Sequence, residues 1–379
     1  MSIRRHDLTE DRPRRRRKPS LSTAEVVDFL EYLAPPTLGS SDRPYGLQVG
    51  AMASDLRSIV VAPMATFNAL STAASRKQAL LITSAPLITE PLTAIRRDSP
   101  IGGKAAYLTE HRINLYTLSD SYAAAPGGFD DSLAERLGLA ATSALLPTTF
   151  EPQYKIAVYA PTEAADRVRR AAAEAGAGRI GNYSHCSFNT TGIGTYLPRS
   201  GANPTIGSVG KLEKVEEVRI EMIVPQRELQ GVIAAILGAH PYEEVAYDVF
   251  VVKNPGVLYG RGRIGELPLA VSLETVLAQV QDALEIESIR LSHRPDFPIS
   301  SLAVASGVSD GLLWPATRGG AGALITGGAT LQDRMLADGS TTVLIDVGYS
   351  ASVAAGLQRL SAQLQSTFAS DGIEILYAS

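Results

Sequence analysis

Short apolar runs of strand length, each followed by a stretch with helical spacing, fix the class of this chain more firmly than any other feature. Ser58-Ile59-Val60-Val61-Ala62, Ala79-Leu80-Leu81-Ile82-Thr83 and residues 113–118 (INLYTL) are such runs. They alternate with helical stretches at 67–78 and 103–111, and a helix at 132–139 follows the turn APGGFDD. Strands alternating with helices predict a mostly parallel sheet covered on both faces. The style resumes late in the chain: a helix at 272–284, the runs SSLAVAS, GALITGG and TTVLIDVG, a helix at 352–368, then IEILYA. ALLITSA (79–85) is echoed by GALITGGA (322–329), so the two segments read as similar halves of one α/β domain.

Order begins near Ser22, where Ser-Thr-Ala-Glu is a capping box ahead of Val26, Val27, Phe29, Leu30 and Leu33 on one helical face. Pro35-Pro36 ends that helix. Composition shifts near residues 146–153. A strand at 154–161 follows, then a helix at 162–178 with Thr162 as N-cap and Gly176 at its end. A long loop, a strand at 215–225, a helix at 227–239 and a strand at 245–252 complete a ferredoxin-like α+β unit. The expected division is a basic tail at 1–20, an outer α/β domain of two similar halves at 21–150 and 256–379, and a ferredoxin-like insert at 151–255.

The 379 residues are 45% hydrophobic, enough for a sizeable core. The longest apolar runs fall well short of the ~20 residues of a membrane helix, so a soluble, cytoplasmic protein is expected. The single Cys186 excludes an internal disulfide framework and a thiolate-rich metal site. Residues 1–20 carry eight Lys/Arg against three Asp/Glu. Against the whole-chain charge of −4, the remainder is therefore −9. The tail, Arg12–Lys18 above all, reads as a solvated arm, with weak contact to nucleic acid or an acidic protein as the functional option.

The middle segment carries AGAGRIGNYSHCSFNTTGIGTYLP, GANPTIGSVGKLEKVEEVRIEMIVP and GAHPYEEVAYDV. These runs closely resemble the inserted domain of the NIF-three-like dinuclear-metal hexameric proteins, also called GTP cyclohydrolase 1 type 2 homologs. YGLQVG, APGGFDDSLAERLGL, GRGRIGEL and LIDVGYSAS resemble their outer domain. The resemblance spans about residues 22–379. It implies a toroidal homo-hexamer and two divalent metals in a cavity.

The same resemblance implies where the metal ligands would stand. The His-His-Pro tripeptide of the family is Ser84-Ala85-Pro86 here. Anchored on Pro126-Gly127-Gly128, the histidine and aspartate of the next motif fall on Ser119 and Ala123. Anchored on Gly348, the last histidine and glutamate fall on Tyr349 and Val353. Flanking polar positions fall on Met64, Gly328 and Gln332. No metal and no catalytic residue is therefore expected.

The remaining polar residues offer few replacement ligands. Asp120 is the best relocated carboxylate, against its reading as a turn carboxylate bonding backbone N–H groups. His240, Tyr242, Glu243 and Glu244, in GAHPYEE, are further cavity candidates, although Pro241 suits a helix-to-strand turn. Asp346 reads as fixing a strand end, His111 as a helix-end partner, His293 as loop and Cys186 as a packed small residue. GNYSHCSFNTTGIGTY could hold an anion on backbone amides but lacks the P-loop Lys-Ser/Thr pattern. No Gly-x-Ser-x-Gly elbow occurs. The reading is a family protein without its metals, leaning away from an enzyme: a hexameric scaffold or small-molecule binder. The alternative is a metal-dependent hydrolase rebuilt around Asp120, His240 and Glu243.

Overall fold

A computed structural model describes residues 21–40 and 44–378, so the basic tail lies outside the described residues. Two compact units form: residues 146–261, and the segments on either side of them together. The outer unit opens with α1 (Thr23–Leu33), β1 (Gly46–Val49), β2 (Ser58–Ala62), α2 (Phe67–Ala74) and β3 (Ala79–Thr83). It continues with α3 (Pro100–Glu110), β4 (Asn114–Thr117), α4 (Ser119–Ala124) and α5 (Phe129–Arg136). β5 (Ala140–Phe150) leads to the second unit. That unit holds β6 (Gln153–Pro161), α6 (Thr162–Glu174), β7 (Phe188–Tyr196), β8 (Glu213–Pro225), α7 (Leu229–Ala239) and β9 (Tyr247–Val252). β10 (Leu258–Val271) leads back to α8 (Leu273–Leu284), β11 (Arg290–Leu291), β12 (Ile299–Ala305), α9 (Leu313–Arg318) and β13 (Ala323–Thr326). The chain ends with α10 (Leu331–Ala337), β14 (Val343–Asp346), α11 (Tyr349–Phe368) and β15 (Glu374–Tyr377).

The first helix forms as its sequence requires. Ser22 Oγ accepts from the Glu25 N–H at 3.3 Å, and Glu25 Oε2 accepts from the Ser22 N–H at 2.7 Å. This reciprocal cap stabilises the helix by about 1 kcal/mol. Its inner face buries Val26, Val27 and Leu30, each worth about 1.5–3 kcal/mol of apolar transfer.

The outer unit is built on two sheets, ordered β1-β4-β3-β2-β15 and β11-β14-β13-β12-β10-β5. In the first, β15, β2, β3 and β4 run parallel and β1 is antiparallel at the edge. In the second, β12, β13 and β14 run parallel, with β11 and β10 antiparallel on the two sides. The echo between the halves is thus topological. β1-β4-β3-β2 and β11-β14-β13-β12 repeat one arrangement, down to the edge strand. The matching strands end in register: Thr83 pairs with Thr117, and Thr326 with Asp346. β3, buried at every position, has no polar alternation because helices cover both faces.

In the second unit the sheet order is β7-β8-β6-β9, with every neighbour antiparallel. One face packs Ile156, Val158, Ile220 and Met222 against Val168 of α6 and Val232 and Ile236 of α7. The β-α-β-β-α-β order is that of a ferredoxin-like unit.

Several local expectations need correction. The long loop expected before residue 215 contains β7. FNTTGIGTY carries no period-two apolar pattern because both its faces are largely exposed, so its pairing to β8 left no trace in hydrophobicity. Thr162 is the first residue of α6 rather than its cap, which is Pro161. Residues 129–131, placed in a turn, open α5. α11 begins at Tyr349, not 352: Gly348, at φ +84°, turns the chain into the helix as only glycine does cheaply. Among the described residues no helix is long and apolar enough to cross a membrane.

Candidate functional site

Strand ends of both sheets of the outer unit meet at one cavity of about 390 Å³. Clefts at the carboxyl ends of parallel strands are where α/β folds place their ligands. One wall is Ser84-Ala85-Pro86, directly after β3. A second is Ser119, Asp120 and Ala123 on α4. A third is Tyr349 and Val353, one helical turn apart on the first turns of α11. Phe129 at the start of α5, with Ser306 and Gly307 after β12, completes the rim. All six positions assigned as ligand positions from the family resemblance therefore converge here, although they lie up to 269 residues apart along the chain.

Hydrogen bonding inside this cavity is directional. Ser84 Oγ lies 2.7 Å from the Pro63 carbonyl oxygen and 3.1 Å from Tyr349 Oη. A carbonyl cannot donate, so the single Ser84 hydroxyl proton goes to Pro63 O. Tyr349 must then donate to Ser84 Oγ. The bond ties the end of β3 to the start of α11 across the cavity. The β3 end is fixed further by Thr83 Oγ1 donating to Ala85 O at 2.8 Å, and by the Ser119 N–H donating to Ser84 O at 3.1 Å. Ser119 takes a left-handed φ of +48°, uncommon for a residue with a side chain. This turn sets Asp120 and Ala123 along the wall. The start of α11 is held by Ser352, whose hydroxyl donates to Tyr349 O at 2.7 Å and accepts the Gly307 N–H at 2.9 Å.

The remaining walls are hydrocarbon: Ala85, Ala123, Val353 and the Phe129 ring. Among the described residues that line the cavity, Asp120 is the one carboxylate, and no histidine or cysteine is present. Asp120 is 9% exposed and sits in α4 rather than in a turn, contrary to its expected setting. Beside the rim, Asp130 accepts from the Gly262 N–H at 2.6 Å and from the Ser306 N–H and Oγ–H at 2.8 and 2.5 Å. Burial pushes its carboxyl above the ordinary range, opposed by the Ser306 bonds and by the nearby Arg263 guanidinium. Arg263 pairs with Asp131. This cluster joins α5 to β10 and to the segment after β12, and it reaches the cavity through Ser306.

The other sequence candidates lie elsewhere. Met64 is on the surface, and Gln332 is exposed on α10. The Gly328 carbonyl accepts the Ser309 N–H at 2.8 Å. Asp346 fixes its strand end, as expected: it accepts the Gly348 N–H at 3.1 Å and an Arg334 N–H at 3.1 Å. His111 caps α3 and stacks on Tyr107, with centroids 4.0 Å apart. His293 is in a loop. Cys186 is half-exposed rather than packed away.

His240, Tyr242, Glu243 and Glu244 belong to the second unit and Asp120 to the outer one, so neither unit by itself assembles Asp120, His240 and Glu243. His240 is committed within its turn. Its Nε2 lies 2.9 Å from the Tyr159 carbonyl and its Nδ1 accepts the Tyr242 N–H at 3.1 Å. Those partners fix the proton on Nε2. Burial lowers its pKa, with the Tyr159 bond opposing. A neutral imidazole using both nitrogens has none left for a metal. Among the described residues no group of three or more His, Cys, Asp or Glu is placed to hold a metal ion. Sequence reasoning missed Phe129, Ser306 and Gly307 as lining residues. Nothing local in their sequence marks them, since their role comes from the meeting of two sheets.

Residues 21–379 match the Duf34/NIF3 (NGG1p interacting factor 3) family. A Bacillus subtilis protein named GTP cyclohydrolase 1 type 2 homolog is 35% identical over 308 residues, covering 81% of this chain and 83% of that one. A Mycobacterium tuberculosis protein of the same name is 36% identical over 297 residues, 78% of each chain. The crystal structure of a Bacillus cereus protein related to NIF3 superposes with a TM-score of 0.82 at 32% identity, covering 96% of this chain and 98% of that one. By these matches the chain belongs to the Duf34/NIF3 family.

Proposed function

We propose that this chain is a non-catalytic member of its family, in which a hydrogen-bonded cavity stands in place of a two-metal site and serves to bind a small molecule. One observation carries the reading: at the strand ends where the family resemblance places ligands, Tyr349 donates to Ser84 across the cavity at 3.1 Å. That bond occupies the positions of two imidazoles with two neutral hydroxyls.

The donor set does not fit a pair of divalent cations. Zinc and its neighbours take imidazole nitrogen or carboxylate oxygen at about 2.0–2.2 Å. Two cations held ~3.5–4 Å apart need several anionic oxygens to offset their repulsion. The cavity offers one carboxylate, Asp120, while Ala85, Ala123 and Val353 offer only hydrocarbon. The Ser84 oxygen already gives its proton to Pro63 and accepts from Tyr349.

The curated relatives carry the name of a cyclohydrolase homolog. A hydrolysis needs an activated water, supplied by a metal or by a general base within hydrogen-bond reach of it. Asp120 has no histidine or second carboxylate beside it in this cavity to divide acid and base roles. A pocket of about 390 Å³ with hydroxyl rims and apolar walls suits retention of a small, largely uncharged molecule. We place this activity in a soluble homo-oligomer, with the hexamer as the expected state.

The test is metal content. Full-length protein, incubated with Zn²⁺, Mn²⁺ or Fe²⁺ and then desalted, is analysed by elemental mass spectrometry. The reading expects far less than one metal per chain. Two tightly held metals per chain would overturn it.

A further inference from the structure

We propose that the outer unit joins copies of this chain head to tail: the α2–α3 face of its first half packs on the α9–α10 face of the second half of a neighbouring copy. This contact rests on the homo-oligomeric state proposed above and is independent of what the cavity holds. The two faces are equivalents within the repeat. α2 connects β2 to β3 and α3 connects β3 to β4, as α9 connects β12 to β13 and α10 connects β13 to β14. Successive right-handed crossovers that step in one direction along a sheet put both helices on the same side of it. Each pair is therefore the outer layer of its half, with its inner side in the core.

The outward sides of these helices carry large apolar residues where solvent-facing helix positions are ordinarily polar. In the second half, Trp314 on α9 is 58% exposed, and Leu331 and Met335 on α10 are 75% and 70% exposed. Leu331 and Met335 are one helical turn apart, on the side opposite the buried Asp333. In the first half, Phe67 on α2 is 68% exposed, and Ile101 on α3 is exposed too. The Lys104 ammonium lies 5.6 Å from the Phe67 ring centroid, so α2 and α3 present one surface. Ile101 stands one turn before Lys104 on that surface.

Size and chemistry point to a second copy as the cover. The three residues of the second face expose roughly 400 Å² of side chain, the scale of the largest apolar patch on a typical monomer. That is about half of the ~800 Å² each partner buries in a stable interface, with a polar rim supplying the rest. The tail at 1–20 is a poor cover: it has eight Lys/Arg, and Met1, Ile3 and Leu8 are its only large apolar residues. Unlike faces suit each other better than like ones. Met335 offers a thioether to the Phe67 ring, a favourable pairing. Two copies of the first face would instead bring their Lys104 ammoniums together. Each copy carries one face of each kind, so an unlike contact leaves one of each open at the ends of a pair. Such a heterologous contact adds copies until a ring closes.

The experiment uses the full chain, with chains per particle read by light scattering and native mass spectrometry. Phe67→Glu with Ile101→Glu spoils the first face, and Leu331→Glu with Met335→Glu the second. All four positions are exposed, and Phe67, Ile101 and Leu331 lie in the first turns of their helices, where an acidic side chain is favourable. The far-UV spectra should therefore stay unchanged. Each variant alone should hold fewer chains per particle than the wild type. Mixed in equal amounts, the two should form a mixed particle larger than either alone, since each keeps the face the other lacks. Phe67→Ser and Met335→Ser, milder changes at single exposed sites, carry the same expectation. A monomeric wild type would overturn both this contact and the homo-oligomeric reading. An oligomeric wild type with all variants unchanged in chains per particle would overturn the contact alone. So would variants that dissociate yet form no mixed particle, the signature of like faces pairing or of another protein as partner.

Discussion

The Ser84–Tyr349 bond yields a quantitative prediction through a double-mutant cycle. Tyr349→Phe removes the hydroxyl that bonds Ser84 and keeps the ring. Ser84 keeps its bond to Pro63 O. The expected loss is about 1 kcal/mol, the net value of one part-buried neutral bond. Ser84→Ala removes two bonds, to Pro63 O and from Tyr349 Oη. Pro63 O retains the Ala85 N–H at 3.2 Å, so no carbonyl is orphaned. The expected loss is about 2 kcal/mol. The double variant should cost about 2 kcal/mol rather than 3, a coupling near 1 kcal/mol, because the shared bond is lost once. In a unit of this size each kcal/mol lowers Tm by about 2–4 °C, within reach of differential scanning calorimetry. Losses that simply add, with coupling below about 0.3 kcal/mol, would refute a bond across the cavity.

Further outcomes follow from the same structure. Asp130→Asn turns an amide N–H₂ toward the Gly262 or Ser306 donors, so it should cost about 2–3 kcal/mol and lower the outer unit's Tm by roughly 4–12 °C. His240 has its pKa lowered by burial, so the unfolded chain binds its proton first as pH falls. The second unit should therefore lose stability as pH drops below 6.5, the ordinary value, and His240→Gln should flatten that dependence in urea melts at pH 5–7.5. Deleting residues 1–20 should leave the number of chains per particle unchanged by light scattering; fewer chains per particle would show that the basic tail takes part in assembly.

Much of the outer fold was legible because its strands are buried on both faces and its first helix carries a reciprocal cap. Apolar runs such as Ala79–Thr83 and the Ser22–Glu25 box report their own environment. β7 was not legible, since an edge strand exposed on both faces carries no hydrophobic period. The start of α11 was misplaced because a left-handed Gly348 can open a helix without any polar cap. The six wall positions of the cavity could be named only through motif resemblance. Their convergence depends on pairings between strands remote in sequence, which no local pattern encodes. The partners Phe129, Ser306 and Gly307 lay beyond reach for the same reason. The hydrogen bond joining Ser84 to Tyr349 is set by tertiary structure alone, because neither residue has a distinctive sequence context.

The most direct test of the account is a crystal structure of the full chain grown with excess zinc and measured at the zinc edge. The account predicts no anomalous peak between Ser84, Ala123 and Val353, with the Ser84–Tyr349 bond intact. Two peaks about 3.5–4 Å apart at that position, with Tyr349 swung aside, would contradict it.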